Sequence, residues 1–192
     1  ILRVSTIADL NDIIARGKGG DIIKISEALH EKKIAEIANM VSQRQGKVRL
    51  VLVAGPSSSG KTTFSKRLGI QLAVNGIRHH MLSVDDYFVD RENTPLDEKG
   101  NYDFEALGAI DVEFLNSQLV ELLAGKEIEI PRFDFHTGKR FFNGHRLKLG
   151  EKDVLIIEGI HCMNPDLLPL IDPETTFRIF ISALTQVSVD EQ

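Results

Sequence analysis

Four short runs rich in apolar residues predict the strands of a sheet. They occupy residues 48–54, 79–84, 154–157 and 177–181. The run 154–157 is continuously apolar and the run 48–54 is apolar apart from Arg49, a pattern that is typical of strands buried on both faces of a parallel sheet. Because helical patterns separate the runs, we expect a doubly wound, mainly parallel α/β sheet with its functional site at the carboxyl ends of the strands.

Two amphipathic helices are predicted between these strands. Residues 60–75 place apolar side chains at helical spacing on one face. Residues 111–125 begin with an aspartate, a good N-cap, and continue with a second apolar stripe up to a glycine. Two further short strands are expected at residues 127–130 and 145–149.

The chain divides, by prediction, into a helical appendage or linker from an upstream region at residues 1–46 and a main domain at residues 47–192. A short helix is expected from Ala8 to Arg16, where a glycine follows. Ser26 is a candidate N-cap for a second, longer helix that ends before Gly46. This segment carries no evident chemistry.

The turn between the first predicted strand and helix 60–75 carries the pattern G-x-x-x-x-G-K-T. Between a strand and a helix, this pattern is typical of a phosphate-binding loop, because backbone N–H groups and the helix dipole point toward the phosphates. Its lysine can reach the β- and γ-phosphates, and its threonine hydroxyl can bind Mg²⁺. The alternative is a glycine-serine surface turn with a solvated lysine. The residues predicted to bind the nucleoside triphosphate are Gly55, Ser57, Ser58, Ser59, Gly60, Lys61, Thr62 and Thr63.

Two acidic residues end predicted strands and are expected at the same edge of the sheet as this loop. Glu158 follows the apolar run 154–157, where a carboxylate can help Thr62 to orient Mg²⁺. Asp85 follows the run 79–84, where a carboxylate beside the γ-phosphate can accept the proton of an acceptor hydroxyl. The alternatives are a surface or helix-capping glutamate and a turn-forming aspartate.

The composition narrows the class of protein. The chain has 192 residues, of which 42% are hydrophobic and 27% are charged. This is the composition of an ordinary globular protein. The net charge of −5 gives no clear nucleic-acid surface, which would appear as a basic domain. Neither an apolar run of about 18 residues nor a signal peptide pattern is present, so no membrane partner is expected. The single cysteine, Cys162, cannot form an intrachain disulfide, which favours a reducing, cytoplasmic location.

Five motifs follow one another in an order and rough spacing that resemble the uridine kinase and phosphoribulokinase family of P-loop kinases. They lie at residues 55–63, 83–88, 101–104, 131–135 and 157–160. The resemblance is closest to uridine/cytidine kinase. It implies the α/β fold of P-loop kinases and an enzyme that uses ATP and Mg²⁺ to phosphorylate a small-molecule hydroxyl, most closely the 5′-hydroxyl of a nucleoside.

The resemblance also implies roles for individual residues. Asp85 matches the catalytic aspartate that activates the 5′-hydroxyl, with Lys61 at the phosphates, and Glu158 matches the Walker B acid that serves Mg²⁺. Asp103 matches the aspartate that holds the ribose hydroxyls, a role that suits a carboxylate acceptor. The other implied acceptor-binding residues are the aromatic positions Tyr102, Phe133 and Phe135, with His136 and Arg140 beside them. Aromatic faces suit a planar base, but core packing is an equal alternative for Phe133 and Phe135.

Two features depart from that family. Its members that act on uridine or cytidine carry a histidine at the position of Gly138, whereas the nearest histidine here is His136. The acceptor could therefore be another hydroxyl metabolite, such as a phosphorylated sugar or pantothenate. The family also continues with an arginine-bearing lid and a last strand, and no arginine follows Arg178. We therefore expect this chain alone to be a poor catalyst.

A function of a different class is also open. Residues 1–46 faintly resemble the junction in longer bacterial uridine-kinase-like proteins, which carry a threonyl-tRNA-synthetase-like region upstream. The chain would then be the kinase part of a longer protein, and it could serve as a nucleotide-binding regulatory module without turnover. A homo-oligomer is compatible with the sequence, which does not distinguish ATP from GTP as the donor.

Overall fold

The computed structural model describes residues 4–182 and Ser188. The helices in these residues are α1 (Ile7–Ala15), α2 (Gly19–Gln43), α3 (Lys61–Val74) and α4 (Val112–Leu123). The strands are β1 (Leu50–Ala54), β2 (His79–Ser83), β3 (Glu127–Glu129), β4 (Arg132–Asp134), β5 (Lys139–Phe141), β6 (Arg146–Lys148), β7 (Val154–Glu158) and β8 (Thr176–Phe180). Each helix and strand predicted from the apolar pattern is present, with ends shifted by a few residues, apart from the start of α2.

Four strands form a parallel sheet in the order β2-β7-β1-β8. All five residues of β1 are buried, as the apolar run predicted. The register pairs Val53 of β1 and Ser83 of β2 with Glu158 of β7. Because the strands are parallel, the loops that follow β1, β2 and β7 leave the sheet at one edge. The predicted doubly wound α/β architecture is confirmed.

The side chains of alternate residues in each strand point to opposite faces of the sheet and contribute to two hydrophobic cores, one on each face. Helices α2 and α3 cover one face, where α2 contributes Ile34, Ala38 and Val41, all fully buried. Helix α4 and the short strands cover the other face. The helices predicted for residues 1–46 are therefore present, and α2 packs against α3 as part of the core. The division into an appendage and a main domain stays a prediction.

The N-cap predicted at Ser26 is wrong. Helix α2 begins at Gly19, and Ser26 lies exposed inside it. Serine is only weakly disfavoured in a helix interior, by about 0.5 kcal/mol relative to alanine, so it does not start a helix when the preceding turns can also be helical. The cap that forms is at α1, where Thr6 and Asp9 make a reciprocal capping box.

Two small antiparallel sheets lie beside α4. Strand β3 pairs with β6, so both short strands expected around residues 127–149 exist and contact each other. Strands β4 and β5 form a hairpin in which Phe133 lies opposite Arg140. Its turn carries Gly138, whose φ of 69° lies in the left-handed region that favours glycine. This hairpin carries most of the residues predicted to bind an acceptor.

Candidate active site

The loop after β1 has the geometry of a phosphate cradle. Gly60 takes a φ of 87° at the N-cap of α3, a conformation that favours glycine. A Cβ atom on Gly55 would lie 2.5 Å from the carbonyl oxygen of Ile181 and 2.7 Å from Ser59 Oγ, so glycine is required there as well. The Lys61 ammonium donates to the carbonyl oxygens of Gly55, at 3.0 Å, and of Pro56, at 2.9 Å. The lysine is thus folded over the loop that precedes it.

This loop forms one wall of a cavity of about 360 Å³. The opposite wall comes from the ends of β2 and β7, which bring Asp85 and Glu158 toward Lys61 and Thr62. The lining residues are Ser57, Ser58, Gly60, Lys61, Thr62, Thr63, Ser83, Asp85, Glu158, Gly159 and Ile160. Six of the eight predicted loop residues, all except Gly55 and Ser59, therefore line the same cavity as both predicted acids.

The two predicted metal-binding groups are in contact. The Thr62 hydroxyl donates to Glu158 Oε1 at 2.7 Å, which joins the start of α3 to the end of β7. A hydroxyl and a carboxylate next to a phosphate site fit Mg²⁺, which binds oxygen ligands and usually keeps several waters. Within the described ranges, no group of three or more His, Cys, Asp and Glu side chains could hold a metal ion by itself.

The charge state of Asp85 depends on its surroundings in the cavity. Burial is the main cause that raises its pKa above the usual value of a carboxyl group, and the Glu158 carboxylate raises it further. The Lys61 ammonium acts in the opposite direction and lowers this pKa. A carboxylate with a raised pKa is a better proton acceptor, which suits a general base.

The neighbouring Asp86 forms an ion pair outside the phosphate cavity. Its carboxylate accepts from Arg132 Nη1 at 2.9 Å, and burial raises its pKa even though Arg132 lowers it. Asp86 and Arg132 line a second cavity of about 370 Å³ that shares Ser83 and Glu158 with the first. The remaining lining residues are Lys66, Met81, Leu82, Ile130 and His145. Of the two adjacent aspartates, only Asp85 faces the phosphate loop.

The aromatic residues predicted for an acceptor converge on Phe88. The ring centroids of Phe133 and Phe135 lie 5.4 and 5.9 Å from that of Phe88, and 5.1 Å from each other. Tyr102 joins through Phe104, whose ring contacts both Tyr102 and Phe88. Phe133 is buried, whereas Tyr102 and Phe135 are about half exposed. Phe133 therefore packs as a core residue, and Tyr102 and Phe135 present accessible ring surface.

The predicted polar acceptor residues are held by other partners. The Asp103 carboxylate accepts from the backbone N–H groups of Glu105, at 2.9 Å, and Ala106, at 3.1 Å. Arg140 donates to Asp111 at 2.8 Å and stacks over the ring of Phe114. None of the residues predicted to bind the acceptor lines either of these two cavities; they are Tyr102, Asp103, Phe133, Phe135, His136 and Arg140. Their acceptor-binding roles stay predictions.

His136 is exposed on the turn of the β4–β5 hairpin, where its backbone N–H donates to Asp134 Oδ1 at 2.8 Å. The same turn holds a contact that the sequence did not reveal. The backbone N–H of Arg91 donates to the carbonyl oxygen of Gly138 at 2.8 Å, and its guanidinium donates to the carbonyl oxygen of Phe135. The unexpected glycine at position 138 was the signal that could have led to this contact.

No helix in the part of the chain that the structure describes is both long and apolar enough to cross a membrane.

Comparison with known proteins identifies the family. Residues 50–190 match the sequence model of the phosphoribulokinase / uridine kinase family. The uridine kinase of Ligilactobacillus salivarius is 35% identical over 142 residues, which cover 73% of this chain and 63% of that protein. The inorganic pyrophosphatase TTM2 of Arabidopsis thaliana is 31% identical over 157 residues, which cover 79% of this chain and 22% of that protein.

A solved structure gives the same result. A possible uridine kinase from Bacillus stearothermophilus matches with a TM-score of 0.62 and 27% sequence identity, over 78% of this chain and 79% of that one. The chain spans less than two thirds of the length of the two curated relatives above. The family match covers the phosphate loop, both acids and the β4–β5 hairpin. The chain belongs to the phosphoribulokinase / uridine kinase family.

Proposed function

We propose that the protein transfers the γ-phosphoryl group of ATP to a hydroxyl group of a small molecule, with a nucleoside 5′-hydroxyl as the first candidate. The observation that carries the proposal is the single cavity shared by Lys61, Thr62, Asp85 and Glu158. Phosphoryl transfer requires mainly positioning and neutralisation of charge, and these four residues supply a cation, a hydroxyl and two carboxylates for that purpose.

The donor side is assigned to the loop and its lysine. Backbone N–H groups at the start of α3 bind the phosphates, aided by the helix dipole. Lys61 exchanges its present acceptors, the carbonyl oxygens of Gly55 and Pro56, for phosphate oxygens. Thr62 and Glu158 would hold Mg²⁺, which neutralises charge on the phosphates when bound.

Asp85 is assigned as the group that accepts the proton of the acceptor hydroxyl. It lines the same cavity as Lys61 and Thr62, so an acceptor oxygen beside it would face the γ-phosphate. Burial and the Glu158 carboxylate raise the pKa of Asp85, which increases the affinity of its carboxylate for a proton. The proton moves from the hydroxyl to a carboxylate oxygen of Asp85 as the oxygen attacks phosphorus.

The nucleoside assignment is supported by the uridine kinases among the relatives and by the exposed ring surface of Tyr102 and Phe135. In this assignment the base lies against those rings, and Asp103 exchanges the N–H groups of Glu105 and Ala106 for the ribose hydroxyls. Stacking on an aromatic ring contributes about 1 kcal/mol, which is enough to orient a base.

A second acceptor class is favoured by one observation. Gly138 has no side chain with which to contact a base, and Arg91 packs where such a side chain would project. Another hydroxyl metabolite, such as a phosphorylated sugar or pantothenate, is therefore the second candidate. Both candidates use the same donor site and the same proton acceptor, Asp85. They differ only in the part of the acceptor that lies toward the β4–β5 hairpin.

The test is an acceptor panel with γ-labelled ATP in the full-length protein. It contains pyrimidine and purine nucleosides, sugar phosphates, pantothenate and a reaction without acceptor. We expect label on the 5′-hydroxyl of a nucleoside and slow ATP hydrolysis without acceptor. Label on a sugar phosphate or pantothenate would select the second candidate. ATP binding without transfer to any acceptor would contradict catalysis and favour a regulatory nucleotide-binding module.

A further inference from the structure

The long segment between β2 and α4 is joined to the β4–β5 hairpin around one residue, Arg91. Its backbone N–H donates to the carbonyl oxygen of Gly138 at 2.8 Å, and its guanidinium donates to the carbonyl oxygen of Phe135. Beside it, Asp90 Oδ1 accepts from the backbone N–H of Arg140 at 3.1 Å. Three hydrogen bonds therefore connect two consecutive residues of the segment to the hairpin.

The shape of the contact is as specific as its hydrogen bonds. A Cβ atom on Gly138 would lie 2.7 Å from Cβ and 2.8 Å from Nε of Arg91. Real Cβ atoms essentially never approach other atoms so closely, so the arginine side chain fits against the hairpin only because residue 138 is glycine. The positive φ of Gly138 independently favours glycine at this position.

The two elements joined by Arg91 each carry part of the aromatic cluster. Phe88 lies three residues before Arg91, and Phe133 and Phe135 lie on the hairpin. The Phe88 ring contacts both hairpin rings. Because Phe135 is bonded to Arg91 through its carbonyl oxygen, the contact fixes the backbone from which one exposed ring projects.

We propose that Arg91 is a positioning residue for the acceptor. It holds the segment after β2 and the hairpin at one separation, and so sets the position of the exposed Phe135 ring against which the acceptor lies. Arg91 acts through Phe135 and Gly138 and does not itself contact the phosphate loop. This inference rests on the proposed function, because it assigns the aromatic cluster to the acceptor.

Steady-state kinetics of Arg91→Ala test the proposal in the full-length protein. We expect the acceptor KM to rise about tenfold, equivalent to about 1.4 kcal/mol, while the KM for ATP and the thermal midpoint change little. Arg91→Lys retains the packing against Gly138 and one donor, and should recover most of the loss. Arg146→Ala is the matched control, because Arg146 is an exposed arginine that pairs with Glu127 in the other small sheet. An unchanged acceptor KM, or an equal rise in the KM for ATP, would overturn the proposal.

Hydrogen exchange measured by mass spectrometry supplies a readout that does not need activity. Arg91→Ala should accelerate exchange in residues 84–95 and 132–141 together and leave residues 55–63 unchanged. If that variant fails to fold, Arg91→Met removes the donor and keeps the aliphatic stem. If hydrogen exchange in these two ranges were no faster in Arg91→Ala than in Arg146→Ala, the role of Arg91 would be refuted. If the wild-type protein phosphorylates no acceptor, the proposed function fails, and the exchange experiment still shows whether Arg91 joins the two elements.

Discussion

Replacing Lys61 with alanine separates the two contacts that this lysine is expected to make. In the nucleotide-free protein it donates to two loop carbonyl oxygens, on Gly55 and Pro56. With nucleotide it is expected to contact the phosphates instead. The first loss acts on the stability of the free protein, and the second acts on nucleotide affinity, so two thermal midpoints measure both.

The expected magnitudes follow from these contacts. A hydrogen bond from a charged group contributes about 1.5–3 kcal/mol, so losing the phosphate contact should raise the Kd for ATP about 100-fold, equivalent to about 2.7 kcal/mol. At a nucleotide concentration of about 100 times the wild-type Kd, binding stabilises the wild-type protein by about 2.7 kcal/mol and the variant by about 0.4 kcal/mol. At about 2–4 °C per kcal/mol for a chain of this size, ATP should raise the wild-type midpoint by about 5–11 °C. The corresponding rise in the variant is about 1–2 °C.

The assay is thermal unfolding with and without Mg-ATP, followed by calorimetric titration of ATP. Lys32→Ala on α2 is the matched control, because Lys32 is exposed and lies outside both cavities. It should behave as wild type in both measurements. An ATP-induced shift in Lys61→Ala as large as that in the wild type would refute the assignment of this lysine to the phosphates.

Three further predictions follow from other contacts. The Glu158 carboxylate raises the pKa of Asp85, so Glu158→Gln should lower that pKa. Because Asp85 acts deprotonated, the acidic limb of the kcat/KM profile should then move to lower pH; a shift to higher pH would contradict this. In an ordinary helix, Gly→Ala stabilises the fold by about 0.5–1 kcal/mol. Gly69→Ala should instead destabilise it, because the new Cβ atom would lie 2.7 Å from Cδ2 of His79. The free energy of unfolding of this variant and of Gly69→Ala/His79→Ala, measured with denaturant, tests the prediction. Burial, with a contribution from Glu158, raises the pKa of Cys162 to about 12, so iodoacetamide at pH 8 should label it far more slowly in the folded protein than in urea.

The sheet and the phosphate site were predictable because their signals are local. The apolar runs set the strands, and the glycine-lysine-threonine turn lies between adjacent elements of the chain. Once the strands are parallel, the residues that end them must leave at one edge, which brings Glu158 and Asp85 toward the loop. The contact of Thr62 with Glu158 across 96 residues follows from the same geometry.

The partners of the acceptor-side residues could not be predicted from the sequence. Arg140 pairs with Asp111, which lies 29 residues away, and this choice depends on how the hairpin docks on α4. The contact between Arg91 and Gly138 depends on the path of a long segment with no regular pattern. Ser26 failed as a cap because the residues before it are also helical and serine is only weakly disfavoured in a helix interior.

The most direct test of the central claim compares nucleotide binding with turnover in Asp85→Asn. Asparagine preserves the shape of this side chain and removes its ability to accept the proton. We predict that the variant of the full-length protein binds Mg-ATP with a Kd within a few-fold of the wild type, and that turnover with the preferred acceptor falls by about 10²–10⁴-fold. Asp21→Asn, at the exposed start of α2, should change neither quantity. Turnover in Asp85→Asn equal to that of the wild type would contradict the claim that the carboxylate opposite the phosphate loop receives the acceptor proton.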